Sequence, residues 1–209
     1  MKYDSKKYAL SSYFDSLLFR TIKKYLQLQK DDKVLEVGCN RGRLVEKMRD
    51  AEAQAQGVDV NPEAIRHGVS ENIQVMDATD LQFPKESFHK IYSVHTIEHI
   101  LNAKKALQEM ERVLKPGGKI VLIYPAEPGF LRGLFALKSA ILVYKNPFLA
   151  REIHIHNLNP KKIQELIRGT QLKHIESHFP IVWYPQYLTV LEKKNAGVRV
   201  KLLTRTGSE

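Results

Sequence analysis

The sequence lacks most of what a secreted, membrane-spanning or cysteine-based protein needs. Its 209 residues include one cysteine, Cys39, which excludes an internal disulfide and a zinc site built from cysteines. The most apolar window, 130–143, contains Arg132 and Lys138 and is too short to cross about 30 Å of hydrocarbon. The charged first residues are not followed by the apolar segment of a secretion signal. These absences predict a cytoplasmic protein.

Internal repeats and low-complexity segments are absent as well. At about 100–200 residues per domain, the length predicts one domain over 1–209, with a helical segment at 1–30, a cap insertion at 126–158 and a basic tail at 193–209. A hydrophobic fraction of 43% is typical of a chain that buries a core, and it excludes wholesale disorder.

Basic residues outnumber acidic ones, with 33 Lys and Arg against 23 Asp and Glu, but the excess lies at the two ends. Residues 1–30 hold seven basic and two acidic side chains, residues 193–209 hold five and one, and the remainder is almost neutral. A protein that grips nucleic acid through its body needs a basic body. Nucleic acid is therefore not a favoured partner, and the basic ends are interpreted as solvated termini or as contacts with an anionic surface.

Hydrophobic spacing predicts strands and helices in strict alternation along most of the chain. Apolar residues at three- and four-residue spacing predict an amphipathic helix from Leu10 to Leu26 that must lie on a larger body. A further helix is predicted to begin with 44–48, and others at 62–69, 103–114 (closed by 116–118) and 160–167. Strands are predicted at 34–37, 55–60, 73–76, 91–94, 119–124, 172–179 and 181–191. This alternation is typical of βαβ units and a parallel sheet, whereas the last two strands are placed to form an antiparallel hairpin.

The turn from Glu36 to Gly42 lies between the first predicted strand and the helix that follows it, where open α/β sheets bind nucleotides. Gly38 and Gly42 allow a ligand to approach the backbone closely, and Asn40 tolerates a left-handed conformation. Asp59 ends the second strand, 21 residues after Gly38, where a carboxylate can accept hydrogen bonds from two ribose hydroxyls. The glycine fingerprint of dinucleotide binding is broken, because Asn40 and Arg43 occupy its second and third glycine positions.

Five motifs resemble, in order, those of class I S-adenosylmethionine-dependent methyltransferases of the small-molecule type. They are 34–42, 57–62, 77–84 with 87–88, 97–100 and 114–119. The resemblance covers about residues 30–125, with a looser echo to 192. It departs from the family pattern at Asn40, where many members have glycine, and at His89, where aspartate is common.

The resemblance implies S-adenosylmethionine as cofactor and assigns it a set of residues. Glu36 would orient the ammonium group, the Gly38 backbone would meet the methionine part, Asp59 would bind ribose, and Asp77 with Ala78 would meet adenine. The alternatives are that Glu36 satisfies loop amides and that Asp77 is a turn or cap residue. The whole predicted cofactor set is Glu36, Gly38, Cys39, Asn40, Gly42, Asp59, Val60, Asp77, Ala78 and Ser93.

The implied fold is a Rossmann-like three-layer α/β sandwich whose seven-stranded, mostly parallel sheet has an antiparallel last strand. The implied activity is methyl transfer by in-line displacement to a small-molecule or lipid-like acceptor. Two alternatives stay open, an RNA methyltransferase and a catalytically silent cofactor-binding scaffold. No oligomeric state is predicted.

Two histidines are candidates for catalysis. His95 follows the fourth strand, beside the expected methyl position, and His156 lies in the stretch that often borders the family's acceptor pocket. A general base is needed only where the acceptor atom carries a proton. His154 and His156 also share one face of an extended segment, but no third ligand is evident, so no metal is predicted.

The insertion carries an apolar stripe at Leu131, Leu134, Phe135, Leu137, Ile141 and Leu142. It is interpreted either as a cap packed on the sheet or a second subunit, or as a lid over an apolar acceptor. A third interpretation is peripheral membrane contact through 130–149, which the basic residues nearby would suit.

Overall fold

The computed structural model of the protein describes residues 12–126, 156–179 and 185–195. Strands and helices alternate in the order that the sequence predicts. The strands are β1 Lys33–Val37, β2 Gln54–Asp59, β3 Ile73–Val75, β4 Phe88–Val94, β5 Leu114–Pro125, β6 Leu172–His178 and β7 Gln186–Lys193. The helices are α1 Ser12–Leu26, α2 Arg43–Asp50, α3 Pro62–Arg66, α4 Ala103–Val113 and α5 Pro160–Leu166, with a short 3-10 helix at Ile97–His99.

The seven strands form one sheet in the order β3-β2-β1-β4-β5-β7-β6. All neighbours are parallel except β7, which runs antiparallel to both β5 and β6. The predicted mostly parallel sheet with an antiparallel last strand is therefore confirmed. The strand order reverses between β1 and β4, and such a switch point opens a crevice at the carboxyl ends of the strands.

Both faces of the sheet are covered, which explains why its central strands are apolar on both sides. Leu35 of β1 belongs to a core cluster with Met110 of α4. The next residue along the strand, Val34, belongs to a second cluster with Ile22 of α1 and Met48 of α2. A strand buried on both faces carries a near-continuous hydrophobic run rather than an alternating one.

The N-terminal helix packs on the sheet as its amphipathic pattern predicts. Leu18, Ile22 and Leu26 of α1 are buried in the second core cluster. The buried carboxylate of Asp15 forms an ion pair with Arg43 Nε at 2.8 Å, which ties α1 to the start of α2. The helix is thereby held next to the turn that follows β1.

Several boundaries differ from the sequence expectation, most clearly at α3, β4 and β5. Helix α3 ends at Arg66 instead of residue 69, because the Gly68 amide turns back to the Ile65 carbonyl and its α-carbon packs against Ile73. Strand β4 begins earlier, at Phe88, which pairs with Leu114 across a register shift. Because Leu114 already pairs with Phe88, β5 begins at Leu114, and Pro116–Gly118 lies inside this strand and not between α4 and β5.

The predicted apolar stripe, His154 and the tail beyond residue 195 lie outside the described residues. Within the described ranges, no helix combines the length and the hydrophobicity needed to cross a membrane.

Candidate cofactor and active site

The turn after β1 is held against the end of β2 by paired backbone hydrogen bonds. The amides of Gly38 and Cys39 both donate to the Val58 carbonyl, at 2.8 and 2.9 Å. Gly38 has φ +83°, and a Cβ there would lie 2.0 Å from Thr96 Oγ1. Only glycine fits, because the backbone is left-handed and the loop after β4 packs directly on it. The cofactor turn and the loop that carries His95 are thus one contiguous surface.

Asp59 is oriented by two backbone amides. The Asn40 amide donates to one carboxylate oxygen at 2.8 Å, and the Asn61 amide donates to the other at 2.9 Å. Asn40 reaches this position with φ +48°, and its side-chain oxygen is buried with no hydrogen-bond partner among the described residues. The half-buried Asp59 carboxylate keeps lone pairs for further donors, and Val60 beside it is 69% exposed.

Glu36 is a buried carboxyl group with one side-chain hydrogen-bond partner among the described residues. It is 3% exposed, and Tyr92, its neighbour on β4, donates its hydroxyl to Oε2 at 3.0 Å. No cation of the described part of the chain forms an ion pair with it. Burial raises the pKa of Glu36 well above its usual value. The hydrogen bond from Tyr92 lowers this pKa in part, and the negative charge of Asp59 raises it further. A bound cation would stabilise the charged form.

Three further residues of the predicted cofactor set are packed so tightly that their side chains cannot reach a ligand, or have no room for a side chain at all. Cys39 is buried in the core, and burial, followed by the charge of Glu36, raises the pKa of its thiol. Ser93 is completely buried and donates its hydroxyl to the Val37 carbonyl at 2.8 Å. Gly42 caps α2 at φ +77°, and a Cβ there would lie 2.7 Å from Ile73. These residues shape the turn and leave only backbone groups to offer a ligand.

Asp77 lies in an exposed turn after β3. Its Oδ1 accepts hydrogen bonds from the Thr79 amide and hydroxyl at 2.7 and 2.8 Å, which is the turn role considered above. The preceding Met76 amide donates to the Asp59 carbonyl at 2.9 Å, so the predicted ribose and adenine residues are neighbours. Ala78 is half-buried against the core.

The two candidate catalytic histidines lie on either side of one short segment. His95 directly follows β4 with φ +49°, and its amide donates to the Ile123 carbonyl of β5 at 2.8 Å. His156 donates its amide to the Glu98 carbonyl at 3.2 Å, and its ring Nε2 contacts the Ile100 carbonyl at 3.0 Å. The fold therefore brings together two histidines that are far apart in the sequence.

Two residues of this region carry no role in the sequence prediction. Tyr92 could have been found by pairing β1 with β4, since it stands opposite Glu36 in the register. Glu98 belongs to a recognised motif, but nothing in its local sequence reveals that its carboxylate is buried.

Within the described residues, no group of three or more His, Cys, Asp and Glu side chains is arranged to hold a metal ion. The chemistry of the residues that are present suits an organic ligand. A cationic group would meet the buried Glu36, a diol would meet the oriented Asp59, and a donor would meet the buried Asn40 oxygen. S-adenosylmethionine presents an ammonium group, a ribose diol and an adenine amine, so these residues fit it.

Comparison with known proteins agrees with this chemistry. The chain matches the methyltransferase domain family over residues 10–177. It is 32% identical over 152 residues to the ubiquinone biosynthesis O-methyltransferase of Xanthomonas oryzae pv. oryzae, which covers 68% of this chain and 62% of that one. It is 27% identical over 107 residues to the sterol 4-C-methyltransferase of Caenorhabditis elegans, covering 46% of this chain. The chain spans 32% of the length of the sterol enzyme and 62% of the length of the ubiquinone enzyme.

A solved structure shows the same fold. Geranyl diphosphate C-methyltransferase from Streptomyces coelicolor A3(2), crystallised with Mg²⁺, geranyl diphosphate and S-adenosyl-L-homocysteine, superposes with a TM-score of 0.69 at 14% identity. The superposition covers 92% of this chain and 85% of that one. A family match that spans most of the chain, on a sheet of this topology, shows that the protein belongs to the class I S-adenosylmethionine-dependent methyltransferases.

Proposed function

We propose that this protein transfers the methyl group of S-adenosylmethionine to an apolar small-molecule or lipid-like acceptor. The observation that carries the proposal is the buried Glu36 carboxyl, which has no cationic partner in the described residues and lies at the end of β1 beside the oriented Asp59. A buried acid of this kind is costly unless a ligand supplies the missing charge. The ammonium group of the methyl donor is such a charge.

Each cofactor contact follows from the chemistry of the side chains. Glu36 binds the ammonium group, and the two oxygens of Asp59 accept the ribose hydroxyls on the side away from the Asn40 and Asn61 amides. Val60 offers an exposed apolar surface to the adenine ring, and Asp77 with Ala78, which follow the Met76 amide bonded to the Asp59 carbonyl, are proposed to meet the same ring. Bound S-adenosylmethionine supplies an electrophilic methyl group on a cationic sulfur.

Methyl transfer from a sulfonium requires mainly alignment of the acceptor with the carbon–sulfur bond. The loop after β4 packs on Gly38, so His95 stands beside the cofactor turn. His156 is tied to the same loop by its hydrogen bonds to Glu98 and Ile100. Both are proposed to line the acceptor site, where either could orient an acceptor or take its proton.

Two relatives support the class of acceptor. Their names assign them to ubiquinone biosynthesis and to sterol methylation, so both act on apolar organic molecules. Peripheral membrane contact through 130–149 would suit such an acceptor, and it is proposed from the sequence alone, because those residues lie outside the described ranges.

The test combines calorimetry with a labelled-methyl assay against lipid, small-molecule, RNA and protein pools of a cell extract. We expect S-adenosylmethionine binding and label in the lipid or small-molecule pool. Label in RNA alone would favour the nucleic-acid alternative. Binding without label in any pool would favour the silent scaffold, and binding of NADH instead of S-adenosylmethionine would refute the cofactor.

A further inference from the structure

Glu98 is the buried acid that the cofactor contacts leave unexplained. Glu98 is 2% exposed, and neither of its carboxylate oxygens has a hydrogen-bond partner in the described part of the chain. Buried carboxylates are normally paired or hydrogen-bonded, because an isolated one loses its solvation without compensation. Burial of the Glu98 carboxylate therefore costs stability unless a neighbouring charge compensates it.

Two histidines flank this carboxylate. Glu98 Oε1 lies 3.7 Å from His95 Nδ1 and 3.8 Å from His99 Nε2. Both distances are those of a charge pair and exceed a hydrogen bond, as is common for catalytic contacts before substrate binds. The carboxylate is therefore placed to act on a histidine that becomes positively charged.

The backbone around Glu98 is held on three sides. The His95 amide donates to Ile123 on β5, Thr96 packs on Gly38 of the cofactor turn, and the Glu98 carbonyl accepts the His156 amide. His95 also keeps a left-handed conformation, with φ +49°, that is uncommon for a residue other than glycine. Strain of this kind persists where the surroundings over-determine the backbone, and it often marks functional positions.

We infer that Glu98 is a positioning residue that orients His95 as the general base for a hydroxyl-bearing acceptor. This inference rests on the proposed function and narrows its substrate class to phenols or enols. The carboxylate faces Nδ1, so Nδ1 carries the proton and Nε2 is the basic nitrogen. During transfer the acceptor oxygen forms a bond to the methyl carbon as the carbon–sulfur bond breaks. The hydroxyl proton moves to Nε2, and the products are a methyl ether, S-adenosylhomocysteine and an imidazolium that Glu98 stabilises.

The geometry favours His95 over His99 and His156 as the general base. His156 contacts the backbone carbonyls of Ile100 and Leu101 through Nε2, at 3.0 and 3.3 Å, so that nitrogen is engaged as a donor. His99 shares Oε1 with His95, but it lies at the far end of the 3-10 helix from the residue that packs on Gly38. Glu98, His99 and His156 are titratable groups of the described residues that contact this segment.

The first test needs no acceptor. Nitrogen NMR of histidine-labelled protein reports which ring nitrogen of His95 carries the proton. In the wild type we expect the Nδ1–H form in the S-adenosylhomocysteine complex, and in Glu98→Gln we expect loss of that preference. An identical His95 spectrum in both proteins would overturn the positioning role. Calorimetry with S-adenosylhomocysteine, unchanged by the substitution, would show that the variant is folded.

The second test uses dodecylcatechol, an apolar phenol, as the acceptor with labelled S-adenosylmethionine. Glu98→Gln should lower kcat by roughly 10- to 100-fold while the KM for S-adenosylmethionine stays unchanged. Glu109→Gln is the matched control, since it alters another buried glutamate that lies in α4 with its own cationic partners, and it should leave kcat unchanged.

The outcomes separate the two levels of the hypothesis. Wild-type turnover that Glu98→Gln does not slow would overturn the positioning role and leave methyl transfer standing. Turnover on amine or carbon acceptors, with none on dodecylcatechol, would overturn the hydroxyl-bearing class. Binding of the cofactor with no transfer to any acceptor would refute the proposed function itself.

Discussion

Two regions of the molecule treat buried acids in opposite ways. In α4, Glu109 is 7% exposed and accepts hydrogen bonds from Arg112 at 2.8 and 3.1 Å, from Lys105 at 3.3 Å and from the Leu81 amide at 3.2 Å. At the carboxyl edge of the sheet, Glu36 has a phenol as its side-chain partner and Glu98 has two distant imidazoles. The hydrogen bond from Arg112 lowers the pKa of Glu109, whereas burial raises that of Glu36.

The difference separates an acid that stabilises the fold from acids that have no full charge partner in the described residues. Glu109 joins α4 to the segment around Leu81 and is satisfied before any ligand arrives. Glu36 and Glu98 are desolvated without a full charge partner in the described residues, so each costs stability in the free protein. For Glu36, a ligand that supplies the missing charge recovers that cost as binding energy, whereas the inferred partner of Glu98 is the imidazolium of His95.

The largest expected effect comes from Glu36→Gln. Removing the carboxylate takes away the partner of the donor's ammonium group, and S-adenosylmethionine affinity should fall by about 3–5 kcal/mol. Calorimetry measures the change, and Glu109→Gln serves as the control that should bind normally. Equal affinities in wild type and Glu36→Gln would contradict the assignment of this acid to the cofactor.

Asp59→Ala should weaken S-adenosylmethionine binding by roughly 2–4 kcal/mol, because two charge-assisted hydrogen bonds to ribose are lost. The substitution also frees the Asn40 and Asn61 amides, so the melting temperature must be measured beside the affinity. Weaker binding of S-adenosylmethionine by a folded variant supports the ribose role. A folded variant with full affinity would show that another group holds the ribose.

Glu109→Gln should lower the free energy of unfolding by about 1–2 kcal/mol, a value reduced by the exposure of Lys105 and Arg112. The pKa of Glu109 is lowered in the fold, so its contribution is complete above the ordinary glutamate pKa and is lost as the pH falls through the lowered one. Thermal melts at neutral and acidic pH measure this. A destabilisation that persisted in acid would mean that packing, not charge, is responsible.

The pH dependence attributable to Glu36 has the opposite sign. Its pKa is raised in the fold, so the folded state resists ionisation and loses stability as the pH rises above the ordinary value of 4.5 toward the raised one. Melting of wild type and Glu36→Gln should therefore diverge with rising pH, with the variant the more stable. Saturating S-adenosylmethionine should stabilise the wild type more than the variant, and parallel melting curves would contradict the expected cost.

The smallest expected effect is that of metal removal. Displacement at a sulfonium needs no Lewis acid, so methyl transfer should survive EDTA. The assay is repeated with and without the chelator. A loss of activity that a divalent ion restores would overturn this prediction and bring His154 and His156 back as candidate ligands.

The sequence predicted the alternation of strands and helices and the location of the cofactor turn. Val34–Val37 reads as a buried strand, Gly38 and Asn40 require left-handed backbone, and Asp59 follows at the spacing of a nucleotide-binding acid. These signals are local or depend on one spacing. For that reason they can be recognised in the sequence without knowledge of how the rest of the chain folds.

Only the tertiary structure decided which acids are satisfied. Glu98 and Glu109 look alike in sequence, since each stands among apolar and basic neighbours, yet Glu109 finds Arg112 one helical turn away and Glu98 finds no hydrogen-bond donor in the described residues. The Tyr92 contact to Glu36 likewise joins residues 56 positions apart. Residue types and their spacing determine where the site lies. Desolvation and pairing depend on atoms that folding brings together, so only the folded chain determines which buried acids of the site have a charge partner.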